Sequence, residues 1–184
     1  MRKLFFLLFA AVLYACGGGE VTEEASEETE ESGTAEEKVE MVHEVVTTED
    51  TVAMDADQLW AAIASFDGVE NVMPGVIVST AVEGEGVGAK RTLTMADDGG
   101  EIYEEMIGLD EENKKMTYKI ISSPLPVENY VGSMTVSILE DGSTYLSWTS
   151  EYDILPENAA WKDDLKGLHN LLFETLNTPP EAQA

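Results

Sequence analysis

From about residue 41 onward, the order of apolar and polar positions changes character several times, and each change predicts an element. Val42 to Val52 is rich in β-branched residues and reads as a first strand. Asp55 is placed to cap a helix in which Leu59, Trp60, Ile63 and Phe66 recur at helical spacing, and Asp67-Gly68 ends it. A short second helical turn follows at Val69 to Met73 and stops at Pro74-Gly75. Six further strands are expected at Val76–Val82, Ala89–Met95, Glu101–Leu109, Lys115–Ile121, Tyr130–Leu139 and Thr144–Ile154. The punctuation between them suits hairpins: Gly84-Glu85-Gly86, Asp97 to Gly100, Asp110 to Asn113, and Asp141-Gly142. The period then switches, because Trp161, Leu165, Leu168, Leu172 and Leu176 form one stripe on a long helix, closed by Pro179-Pro180.

Strand, two short helices, six strands and one long helix predict an α+β domain. Consecutive hairpins make a seven-stranded antiparallel sheet, and the single long amphipathic helix has to cover its apolar face. That arrangement is a helix-grip, a curved sheet wrapped around a C-terminal helix, often with a cavity between them. Period-two alternation assigns the faces. Ala89, Arg91, Leu93 and Met95 point inward together, so the apolar set carries a charge with it. Met116, Tyr118 and Ile120 go inward on the next strand but one. So do Tyr130, Gly132, Met134, Val136 and Ile138, and then Leu146, Trp148, Tyr152 and Ile154. Between Glu101 and Leu109 hydrophobicity alone leaves the face open, with Ile102, Glu104 and Met106 on one side and Tyr103, Glu105 and Ile107 on the other.

The start of the chain has a different pattern. Arg2 and Lys3 precede an uncharged run from Leu4 to Leu13, too short to span a bilayer comfortably and suited to a secretory signal at residues 1–15. The sequence Leu13-Tyr14-Ala15-Cys16-Gly17 resembles a bacterial lipobox, with Tyr14 bulkier than usual. Cys16, the one cysteine, then stands where a lipid would be attached; the alternative is an ordinary signal peptide with an incidental cysteine. Residues 16–40 carry ten Glu against one Lys and have no aromatic residue, which predicts an extended, disordered tether. An acidic strip for cations or a basic partner is the other reading. The domain proper is residues 41–184, and the expected location is the bacterial cell envelope, outside the cytoplasm on an N-terminal membrane anchor.

Composition narrows the chemistry. The 184 residues contain 10 Lys plus Arg and 37 Asp plus Glu, a formal charge of −27. Such a field repels phosphate backbones, so nucleic acid is not an expected partner. One cysteine excludes an internal disulfide framework, and with two histidines it cannot make a Cys-rich zinc site. No Gly-rich phosphate loop, nucleophile elbow or metal triad is present in the sequence, and nothing in it calls for a cofactor.

Three stretches carry a resemblance: Gly86 to Arg91 followed by Gly100 to Glu104, Leu125-Pro126-Val127-Glu128-Asn129-Tyr130, and the Leu59-Trp60 helix after strand one. Together they resemble the START-like SRPBCC superfamily, and within it the bacterial polyketide cyclase/dehydrase group, over about Met41 to Leu176. The superfamily includes lipid carriers, hormone receptors, pollen allergens and a minority of enzymes, so the resemblance implies a fold more than a reaction. It also implies that Glu104 faces inward, beside Arg91. Hormone-type recognition is not carried over from the plant abscisic-acid receptors. Ala96-Asp97-Asp98-Gly99-Gly100 replaces their gating loop, and Val78 stands where their carboxylate-binding lysine falls.

The candidate ligand-binding residues are Arg91, Glu104, Tyr118, Tyr130 and Trp148. Arg91 and Glu104 either satisfy each other and fix sheet register, or form the polar end of an apolar pocket and orient a ligand's carboxylate or hydroxyl. The three aromatics suit a pocket wall that directs one hydrogen bond, or ordinary core packing. His169, beside the helix stripe, is expected to be partly exposed, and His43 is a weaker candidate still. Three functions remain open: a binding module for a small hydrophobic or amphipathic molecule, a cyclase or dehydratase-type enzyme using Glu104 or Tyr118, and an envelope interaction domain with no ligand.

Overall fold

The computed structural model describes residues 40–178. The expected signal segment at residues 1–15, Cys16, nearly all of the expected tether at residues 16–40 and Pro179-Pro180 lie outside the described residues. Seven strands are present: β1 Val42–Val52, β2 Ile77–Glu83, β3 Lys90–Met95, β4 Glu101–Asp110, β5 Lys115–Ser122, β6 Val127–Ile138 and β7 Thr144–Ile154. Two short helices, α1 Ala56–Ala64 and α2 Val69–Val72, separate β1 from β2, and α3 Trp161–Asn177 follows β7 after a 3-10 turn at Pro156–Asn158. The strands form one antiparallel sheet in the order β1-β7-β6-β5-β4-β3-β2. The fold is therefore the expected helix-grip, with a curved sheet and a long C-terminal helix.

Local chemistry sets the element ends. The Asp55 side chain accepts hydrogen bonds from the backbone N–H groups of Asp57 and Gln58, satisfying two donors that the first turn of α1 leaves without partners. Register shifts near Ile77, Glu104, Gly108 and Glu128 are bulges, and each bends its strand and deepens the curvature of the sheet. At the far end of the sheet Asn177 clasps α3 to β1, accepting from the Ala53 N–H at 2.9 Å and donating to the Thr51 carbonyl at 3.2 Å.

The faces follow the alternation, with Leu93, Ile102, Glu104, Met106, Met116, Tyr118, Tyr130, Met134, Leu146, Trp148 and Tyr152 all buried. Three expectations need correction. Ile138 was expected inward but is 62% exposed, because it ends β6 at the hairpin tip, where nothing packs over that face. Phe66 is buried, yet it lies two residues past α1 with φ +61°, so its burial comes from a left-handed turn and not from the helix period. His169 was expected partly exposed and is completely buried. The inward face of α3 is Leu165, His169, Leu172, Phe173 and Leu176, with Leu168 only half-buried at its margin.

Candidate functional site

A cavity of about 180 Å³ lies within the helix-grip, bounded by the sheet, the α1–α2 segment and α3. Its wall is mostly aliphatic, with Met54, Met73, Met95, Met116 and Met134 among the lining residues. Methionine side chains are flexible and polarizable, so such a wall adapts to more than one shape. The five sequence candidates, Arg91, Glu104, Tyr118, Tyr130 and Trp148, all line this one cavity. They come from five consecutive positions in sheet order, β3 to β7, and alternation turns each of them to the same side.

Arg91 and Glu104 are cross-strand partners on β3 and β4. The Arg91 Nε donates to Glu104 Oε2 at 2.5 Å, with both side chains buried. Arg91 Nη1 reaches the Phe66 carbonyl at 3.5 Å, and the guanidinium lies 4.0 Å from the Phe66 ring centroid and 5.2 Å from that of Tyr118. The left-handed turn at Phe66 thus has a purpose in packing, since it lays an aromatic face over a buried cation. Burial pushes the Glu104 carboxyl above its ordinary pKa, and the neighbouring guanidinium opposes that rise.

Deeper in the sheet is a second polar cluster. Trp148 Nε1 donates to the Tyr118 hydroxyl at 3.2 Å. The Tyr130 hydroxyl and Ser150 Oγ are 2.7 Å apart, Ser150 Oγ is 3.0 Å from His169 Nε2, and His169 Nδ1 is 3.1 Å from Thr48 Oγ1. The imidazole also stacks on Trp148, with centroids 3.8 Å apart. Burial keeps both tyrosines protonated, raising Tyr118 well above its ordinary pKa and Tyr130 to about 12. Burial lowers His169 to about 4, so its ring is neutral at physiological pH. Gly132 makes room for this cluster, because a Cβ there would lie 2.3 Å from Tyr118 Cζ.

Sequence reasoning missed Ser150, His169 and Phe66. Ser150 was legible, since it falls between Trp148 and Tyr152 on the inward face of β7. His169 was legible too, because 165, 169, 172 and 176 step by four, three and four. The turn that inverts Phe66 left no such signal. His43 is largely exposed and pairs with Asp153 at 2.9 Å, away from the cavity. Among the described residues no group of three His, Cys, Asp or Glu side chains is arranged to hold a metal ion, and no helix is long and apolar enough to cross a membrane.

Comparisons with known proteins agree with this architecture. Norcoclaurine synthase from Thalictrum flavum, in complex with dopamine and hydroxybenzaldehyde, superposes with a TM-score of 0.61 at 22% identity, over 76% of this chain and 87% of its own. A protein from Nitrosospira multiformis gives a TM-score of 0.62 at 21% identity, over 77% of this chain and 100% of its own. Major latex-like protein 151 from Panax ginseng gives 0.60 at 20% identity, over 74% and 99%. At these identities the likeness establishes the fold alone. No protein of curated function matches the chain significantly in sequence. The model of the family described as polyketide cyclase / dehydrase and lipid transport matches residues 43–174. The chain belongs to that family, within the SRPBCC superfamily that the sequence resembles.

Proposed function

We propose that this protein is a binding module that buries a small hydrophobic or amphipathic molecule between the sheet and α3, on a lipid anchor outside the cytoplasm. The observation that carries the reading is the cavity itself, about 180 Å³ of space walled by aliphatic and methionine side chains with a few convergent polar groups. Apolar cavities of about 150 Å³ accept a benzene-sized guest, so the space suits a one- or two-ring molecule or a short acyl chain. Each 100 Å² of apolar ligand surface removed from water contributes about 2.5 kcal/mol before the costs of association. Lipid transport in the family's description supports the same reading. The location rests on the basic start, the apolar run and the lipobox-like residues up to Cys16.

Native mass spectrometry of the full chain, exposed to lipid extract from its own source, tests the binding role. A reproducible mass increment that organic extraction removes is expected; a folded chain with no increment contradicts the reading. Replacing Cys16→Ser is expected to move the protein from the membrane fraction to the soluble fraction, and unchanged partition contradicts the anchor.

The buried Glu104 carboxyl on the cavity wall favours a second reading, an acid–base enzyme of the cyclase or dehydratase kind. Glu104→Gln separates the two, because an enzyme loses turnover while keeping affinity, whereas a carrier loses affinity or nothing.

A further inference from the structure

We infer that the cavity selects an uncharged ligand held through an oxygen, a carbonyl or a hydroxyl, by the hydroxyls of Tyr118 and Tyr130, the first oriented by Trp148 and the second by buried His169 through Ser150. The inference rests on the reading of the cavity as a binding site and names the ligand chemistry of that site.

The formally charged side chains in the wall are Asp67, Arg91 and Glu104. Arg91 is already engaged by Glu104, by the Phe66 carbonyl and by two aromatic faces. A carboxylate ligand would enter with no cation left to meet it, and would face Glu104 in a low-dielectric space, with Asp67 exposed at the rim. A cationic ligand would need Glu104, whose charge Arg91 already balances, and would sit beside that guanidinium. An uncharged ligand carries neither cost.

An indole N–H only donates, so Trp148 fixes the Tyr118 oxygen as an acceptor and leaves the Tyr118 proton to be given elsewhere. Tyr118 therefore has a proton to give, either to the neighbouring Tyr130 oxygen or to a ligand oxygen that takes its place between the two hydroxyls. At the other end His169, buried and neutral, has one N–H and one bare nitrogen, and both are matched to hydroxyls. If Nδ1–H donates to Thr48, then Ser150 donates to Nε2 and Tyr130 donates to Ser150, which leaves the Tyr130 oxygen an acceptor on the side of Tyr118. A hydroxyl ligand fits that state, accepting from Tyr118 and donating to Tyr130. If Nε2–H donates to Ser150, the chain reverses and the Tyr130 proton is also free, so a carbonyl fits by accepting two hydrogen bonds. One histidine tautomer thus suits each ligand type, and no net charge enters the core in either.

Isothermal titration of the full chain with five probes of similar shape tests this: naphthalene, 2-naphthol, 2-acetylnaphthalene, 2-naphthoate and 2-naphthylmethylammonium. The expected result is that the naphthol and the ketone bind about tenfold more tightly than naphthalene, and both ions more weakly than naphthalene. Tightest binding by naphthoate, or equal binding by all five, overturns the inference while leaving the cavity a binding site. Binding by none of them, with the chain folded by circular dichroism, removes the binding reading and the inference with it. Tyr118→Phe and Ser150→Ala are each expected to shrink the naphthol-to-naphthalene affinity ratio about five- to tenfold. A purely structural role for Ser150 would shift all probes together and leave the ratio unchanged, and that result overturns the part assigned to the relay.

Discussion

Arg91 is the residue on which the polar end of the cavity turns, because it is a cation held in the core by one carboxylate, one carbonyl and two rings. Arg91→Ala leaves the buried Glu104 with no counter-charge, which is expected to cost about 3–5 kcal/mol in urea unfolding. Replacing the pair together, Arg91→Leu with Glu104→Leu, removes both charges and is expected to recover most of that loss. A double variant as unstable as the single would show that the pair's geometry, and not its charge balance, holds the strands. Gly132 is a second test at this scale. With Tyr118 Cζ 2.3 Å and its hydroxyl 2.5 Å from the position of a new Cβ, Gly132→Ala forces the ring to move. An overpacking cost of about 1–3 kcal/mol is expected in the same assay. Unchanged stability would mean that the ring has free space beside it.

At the scale of elements, α3 closes the cavity with a face that is apolar except for His169, stacked on Trp148 and hydrogen-bonded to Ser150 and Thr48. Burial holds His169 at about 4, below the ordinary value of 6.5. Between these values the unfolded chain takes up a proton that the folded one does not, so stability falls as the pH falls from 6.5 toward 4. The difference of about 2.5 pH units corresponds to about 3 kcal/mol, complete near pH 4 and absent above about 7. Comparing unfolding free energies of the parent and of His169→Gln across this range isolates the contribution, and the variant is expected to show the shallower slope. Parallel profiles would contradict it. The same helix shows where sequence reading succeeds and where it stops. The elements were legible because β1 is rich in β-branched residues, β7 alternates cleanly over eleven residues and the leucines of α3 recur at helical spacing. Arg91, Tyr118, Tyr130 and Trp148 were found because strand alternation decides their side of the sheet, whereas Glu104 was placed inward by the family resemblance, its strand being ambiguous by hydrophobicity. His169 was passed over because its polarity outweighed its position on the buried face. Phe66 depends on a left-handed turn that no periodicity encodes, and the Arg91–Glu104 pairing needed the register of β3 on β4.

For the molecule as a whole, 37 acidic residues against 10 basic ones make self-repulsion the dominant long-range term. Raising the salt from about 10 to 150 mM shortens the screening length from about 30 to 8 Å. The thermal midpoint of the full chain is expected to rise by a few degrees, the equivalent of about 1 kcal/mol for a protein of this size. A midpoint that falls with added salt would mean that favourable ion pairs, such as Lys114–Asp57 and Lys119–Glu105, outweigh the repulsion. The central claim is that the space between sheet and helix receives a small apolar molecule, and the methionines report on it directly. With methyl-13C methionine in the full chain, 2-acetylnaphthalene is titrated while the methyl signals are followed by NMR. The account predicts that Met54, Met73, Met95, Met116 and Met134, which line the cavity, shift and saturate together, while Met41 and the buried Met106, which do not line it, hold still. Signals that all stay fixed, or that shift at Met41 and Met106 as much as at the five, would contradict it.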